Sequence, residues 1–187
     1  MNTGDTQLIL AECKRQGLSR QHTAYVLATA KWETNHTMRP VKEAYWLSEN
    51  WRAKNLRYYP WYGRGYVQLT WKENYEKAGR ILGMDLTSDP NVVMQPSVAA
   101  KILVRGCKDG WFTGKKLSDY STYEDMRRVV NGTDRAREIA DIARTYEKAL
   151  GSVPSTPTET EKGSIPAFVI ALAAVIVTAA IIIMGGK

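Results

Sequence analysis

The chain has 187 residues, with 26 Lys and Arg against 19 Asp and Glu, for a formal net charge of +7. That length admits one ordinary domain, and the basic balance suits an anionic partner: nucleic acid, a membrane face or bacterial cell wall. The cysteines (Cys13, Cys107) and histidines (His22, His36) are too few and too scattered for a metal site, so no metal and no cofactor is expected.

In chain order, a first helix is expected from about Thr6 to Gln16, stopped by Gly17. A second follows Ser19, a good N-cap, and carries "QHTAYVLATAKWE". "VKEAYWLSENWRA" (Val41 to Ala53) reads as helical, and residues 58 to 69 have room for a short hairpin. "TWKE" (Thr70 to Glu73) has the pattern of a capping box and should open a helix reaching Leu82, ended by Gly83. "DPNVVM" and "SVAAKILVRG" read as two helical pieces interrupted at Pro96. "STYE" (Ser121 to Glu124) is a second capping-box pattern, leading to Val130. A last helix begins near Asp134, with Ile139, Ile142, Ala143, Tyr146 and Leu150 along one stripe. The fold class is therefore mainly α, a compact helical domain with aromatic loops.

Beyond this domain the composition changes. "SVPSTPTETEKGS" (Ser152 to Ser164) holds almost no large apolar side chain and reads as a linker. "IPAFVIALAAVIVTAAIIIM" (Ile165 to Met184) is 20 residues without a charge. As a helix it would extend about 30 Å, the thickness of a bilayer's hydrocarbon core. The expected organisation is a folded domain over 1–150, a linker over 151–164 and a transmembrane helix over 165–184. The N-terminus has no apolar signal-peptide core.

The stretch "YYPWYGRGYVQLTWKENYEKAG" places Gly63 and Gly65 ahead of a helix, as phosphate-binding loops do. It lacks both the Walker pattern with its Lys and a strand–helix βαβ setting, so a phosphate loop is excluded. The two glycines instead let the backbone turn tightly and approach a ligand closely, with Tyr62 and Tyr66 offering rings for stacking.

Two carboxylates stand out. Val26, Ala30 and Glu33 fall at i, i+4 and i+7, so Glu33 ends an apolar stripe beside Trp32. A partly desolvated carboxyl keeps its proton more readily, as a general acid must. Further on lie Glu43 in "PVKEAYW" and Glu49 in "LSENW", and spacing alone does not choose between them. A pair of carboxyls among aromatic rings is the arrangement that glycoside hydrolysis uses.

"WETN" (Trp32 to Asn35), "YYPWYGRGYVQLTWKENY" and "RVVNGT" (Arg128 to Thr133) occur in an order that resembles glycoside hydrolase family 19. The family includes plant-type chitinases and many phage endolysins on a lysozyme-like helical scaffold with a two-lobed cleft. The resemblance covers about residues 20 to 147, and the short segment between its two carboxylates is similar to the phage branch. It implies Glu33 as general acid and Glu43 as the carboxylate that positions the attacking water. It further implies that Gln68, Thr70 and Asn74 line the cleft, and that Asn131 lies on the groove's far side. The implied partner is the glycan strand of peptidoglycan, with the C-terminal stretch inserted in a lipid membrane, either of a virion or of the host cell. Nucleic acid is not expected, because no reader motif is present. A lytic transglycosylase, or a membrane-tethered wall-binding module without catalysis, are the rival readings.

Overall fold

The computed structural model describes residues 3–151, and these form one compact helical unit. The elements in order are α1 (Thr6–Arg15), α2 (Arg20–Glu33), β1 (Val41–Lys42), α3 (Glu49–Asn55), β2 (Arg64–Gly65), α4 (Lys72–Leu82), α5 (Pro96–Asp109), α6 (Tyr123–Met126) and α7 (Ala136–Gly151). Three short 3₁₀ segments, Pro90–Met94, Leu117–Asp119 and Arg127–Val129, link the later helices. The expected linker and transmembrane helix lie outside the described residues; among the described ones, no helix is long and apolar enough to cross a membrane.

Helix α2 is the centre of the core. Its eight consecutive residues Thr23 to Ala30 are all buried, because α7 lies along one side and α1 and α5 cover the others. A helix buried all round does not show one clean apolar stripe, so its sharpest sequence signal is Ser19 at the entry. At the entry, the Ser19 hydroxyl accepts from the His22 N–H at 3.1 Å. At the exit, the Thr34 hydroxyl donates to the Ala30 carbonyl at 2.7 Å and accepts from the Met38 N–H at 3.0 Å. That buried hydroxyl closes the helix one residue after Glu33 and ties down the turn that follows.

Helix α7 presents Ile139, Ala143 and Tyr146 to the core, as its periodicity required. Pro96 opens α5 at its first turn, where the missing N–H costs nothing, so the proline separates the two pieces by starting the second. Gly83 and Gly110 end α4 and α5 in the left-handed conformation.

Three local expectations are corrected. Residues 41 to 53 are not one helix: Val41–Lys42 pairs antiparallel with Arg64–Gly65, and only Glu49–Asn55 is helical, capped by the Ser48 hydroxyl. Thr70 does not cap α4, because its hydroxyl donates instead to the Gln68 carbonyl at 2.8 Å, and Trp71 stands at the N-cap with φ 76°. The second capping motif is shifted by one residue, with the Thr122 hydroxyl accepting from the Asp125 N–H. In the two capping motifs the hydroxyl side chains had more than one local hydrogen-bonding option, and the tertiary surroundings chose. Cys13 and Cys107 are both buried free thiols, and burial pushes the Cys13 thiol up to about 12.

Candidate active site

The end of α2, the β1 strand and the turn after β2 enclose a cavity of about 430 Å³. Its lining includes Glu33, Glu43, Gln68 and the aromatic rings of Trp32, Tyr45 and Trp46. A larger depression of about 500 Å³ lies between α1, α2 and the end of α7, but it is lined by Leu10, Leu18, Leu150, Lys14 and Arg20 and holds no carboxylate. Acid–base chemistry on a neutral bond requires groups that can exchange protons, so the first cavity is the candidate site.

Glu33 is delivered to the cavity by the last turn of α2. Its niche is not simply apolar: the Arg127 guanidinium donates to Oε1 at 2.8 Å. The arginine side chain is only 3% exposed and the glutamate 20%. Arg127 follows α6 directly, and its Nε also donates to the Asp134 carbonyl at 3.0 Å, which fixes the guanidinium plane. A charge this buried requires a counter-charge, and Glu33 provides it.

Glu43 is held differently. The Tyr58 hydroxyl donates to Oε1 at 2.6 Å and the Gly63 N–H donates to Oε2 at 2.9 Å, so each oxygen has one donor and keeps lone pairs free. Hydrogen bonding to the carboxylate pushes the Tyr58 hydroxyl up to about 12, and the tyrosine ring rests against Trp71 with centroids 4.8 Å apart. The glycine is required here. A Cβ at position 63 would meet the Gln68 Oε1 at 2.7 Å and the Glu43 Oε2 at 3.3 Å. The close approach expected of this loop is thus to the protein's own carboxylate. Gly65, at φ +85°, supplies the turn.

Removing the Tyr58 hydroxyl by a Phe substitution is expected to lower kcat about tenfold with KM nearly unchanged, since one hydrogen bond to a charged group is lost. Because the folded pKa lies above tyrosine's ordinary value of 10.0, the hydrogen bond is fully present below that pH and is lost only as the pH climbs toward about 12. The deficit should therefore be the same on either side of neutrality. A deficit that grows as the solution is acidified would refute this role.

Glu49 is not in the cavity lining. It accepts from the Tyr62 hydroxyl at 2.9 Å and pairs with Arg52 at 3.2 Å, a positioning network behind the site. Gln68 lines the cavity, with its Nε2 donating to the Val41 carbonyl at 3.1 Å. Thr70 and Asn74 are half-buried, and Asn74 Nδ2 donates to the Thr70 carbonyl at 2.8 Å. Asn131 is exposed, outside the cavity lining, with its backbone N–H on the Arg127 carbonyl.

Tyr62 and Tyr66 require correction as stacking residues. Both are fully buried; Tyr62 lies under the Arg64 guanidinium, and the Tyr66 hydroxyl donates to Asp5 Oδ2 at 2.7 Å. Alternation around the glycines turned these rings inward. The aromatic residues that line the cavity are Trp32, Tyr45 and Trp46, the last two from a stretch expected to be helical.

Backbone strain gathers around the same place. Asn35, His36, Met38, Ala44 and Gln68 all have positive φ, and all lie in the segments bordering the cavity. Non-glycine residues in that region cost of order 1–3 kcal/mol each, and such strain clusters at ligand sites.

Two differently held carboxyls facing one cavity on a helical scaffold are an arrangement suited to acid–base chemistry on a glycosidic bond. Comparison with known proteins agrees. Residues 28–115, just under half of the chain, match the model of glycoside hydrolase family 19 described as chitinase class I. That span contains both carboxylates, while Arg127 falls beyond it. An endochitinase of Arabidopsis thaliana is 40% identical over 106 residues, which is 51% of this chain and 36% of the relative. The chain thus spans about a third of that relative's length. A bacterial family 19 chitinase of known structure superposes with a TM-score of 0.60 at 22% identity, covering 81% of this chain and 87% of its own. A class IV chitinase from Zea mays gives 0.56 at 22% identity, covering 83% and 85%. The fold is similar to that of these two chitinases, and it is mainly helical.

Proposed function

We propose that this domain cleaves the glycan strand of bacterial peptidoglycan by general acid–base hydrolysis. The single observation that carries the reading is the joint presence of Glu33 and Glu43 in one cavity, each with its own polar support. Glu33, paired with Arg127 in the free enzyme, takes up a proton from solvent before the step and passes it to the leaving glycosidic oxygen. As it gives up its proton it becomes a full carboxylate, which the buried Arg127 charge stabilises, so the guanidinium favours the later part of the step. Glu43, with its oxygens fixed by Tyr58 and Gly63, accepts a proton from water as that water attacks the anomeric carbon from the opposite face. The products are a hydrated reducing end and a free hydroxyl on the leaving chain.

The choice of peptidoglycan over chitin is supported by the basic charge of the chain, which suits an anionic wall, and by the similarity of the short inter-carboxylate segment to phage enzymes. In this reading the enzyme is of phage origin, and residues 165–184 hold it in a virion or host inner membrane. Mass spectrometry of soluble fragments released from purified sacculi tests it. Hydrated reducing ends are expected; anhydro-sugar ends would establish a lytic transglycosylase instead, and intact sacculi alongside cut chitin oligosaccharides would move the substrate to chitin. Co-fractionation of the full chain with lipid, lost when 165–184 is deleted, is the expected result for the membrane part.

A further inference from the structure

Few large apolar side chains are exposed among the described residues, and the two most exposed are neighbours: Tyr45 at 59% and Trp46 at 71%. Both line the cavity that holds Glu33 and Glu43. An indole this open to water gains little from burial, so its stability contribution is small and its placement needs another reason.

The backbone that presents it is held deliberately. Ala44 has φ +48°, a left-handed conformation that an alanine adopts only at a cost. The buried Arg52 reaches back from α3 and takes both flanking carbonyls, with Nε on the Glu43 oxygen at 2.8 Å and Nη2 on the Ala44 oxygen at 2.8 Å. Glu49 balances the arginine charge at 3.2 Å and is itself bonded by the Tyr62 hydroxyl. A buried arginine, paired with a half-exposed glutamate, thus holds a strained turn whose outward result is to keep two aromatic rings in water. The rings meet edge to face, with centroids 5.1 Å apart and planes at 85°, an arrangement that steadies both while leaving much of the indole uncovered.

We infer that Tyr45 and Trp46 form a pyranose-stacking platform that extends the cleft beyond Glu43, seated by Arg52. The ligand class is a β-linked N-acetylhexosamine chain: such a sugar presents a flat C–H face to an aromatic ring and keeps its hydroxyls and acetamide for polar partners. Continuity with the cavity argues for a unit of the same chain that is cut, so the inference rests on the glycosidase reading. Arg52 is a positioning residue, because it reaches the ligand only through the turn it holds.

The test uses the full chain carrying Glu33→Gln and a hexasaccharide of N-acetylglucosamine as probe, with binding measured by calorimetry. Adding Trp46→Ala should weaken binding about tenfold, Trp46→Leu should weaken it as much, and Trp46→Tyr should stay within about threefold of the parent. The melting temperature should not move, since the ring is exposed. Binding unaffected by Ala, a Leu variant equal to the parent, or a parent that does not bind the hexasaccharide would each overturn the platform. Cleavage of the same hexasaccharide by the unmodified chain is read separately. Cleavage with Trp46-independent binding removes the platform alone, whereas Trp46-dependent binding without cleavage of any glycan upholds the platform and counts against the hydrolase reading.

Discussion

Replacing Glu33 with Gln is expected to reduce glycan cleavage by about a thousandfold, within the range that general acid catalysis contributes. The amide has no proton to give at neutral pH, yet its shape and its oxygen remain. A residual hydrogen bond from the Arg127 guanidinium should therefore keep the side chain in place. Removing a catalytic carboxyl from an apolar niche often raises stability, and a Glu33 that only ended an apolar stripe would follow that rule. The structure reverses this. Glu33 is the counter-charge of a buried arginine, so the variant should be less stable by about 1–2 kcal/mol, a buried-pair loss discounted for the glutamate's partial exposure. Urea denaturation and turnover measured on the same preparation check both halves. Retained activity would remove Glu33 from the chemistry, and increased stability would show that Arg127 does not depend on it.

Arg127→Met should produce the largest stability loss of any single change at the site, about 3 kcal/mol. The guanidinium is almost fully buried and donates both to Glu33 and to the Asp134 carbonyl, so truncation leaves two acceptors unpaired. Arg127→Lys keeps the charge but not the planar fork, and one ammonium is not positioned to serve both oxygens. It should recover part of the stability and little of the activity. Midpoints from urea melts decide the matter: a Met variant as stable as the parent would mean that the pair contributes nothing net, as some buried pairs replaced by apolar side chains do.

Arg127 also shows what could have been read earlier. Tyr123, Arg127 and Val130 stand at i, i+4 and i+7, the same spacing that places Glu33 after Val26 and Ala30. A cation on one apolar face and an anion on another are each costly alone, and two such anomalies in one small domain are a pairing hypothesis. The helices with clear start or stop signals were legible for a related reason: Ser19, Gly83 and Pro96 act on their immediate neighbours. The region from Val41 to Asn55 was not. Its conformation depends on β2, far along the chain, and on Arg52 gripping two carbonyls, neither of which leaves a local periodicity. The same applies to Tyr62 and Tyr66 against Tyr45 and Trp46, because which aromatic rings face inward was decided by a strand pairing and a strained turn.

The two carboxyls are anchored very unequally. Glu33 rides on α2, whose middle turns are wholly enclosed, while Glu43 follows a two-residue strand, its carboxyl held by one tyrosine hydroxyl and one backbone amide and its backbone by Arg52. Local opening follows the weakest support rather than the average. Gentle warming should therefore dismantle the water-activating half of the machinery while the proton-donating half still stands, and turnover should fade before the global melt begins.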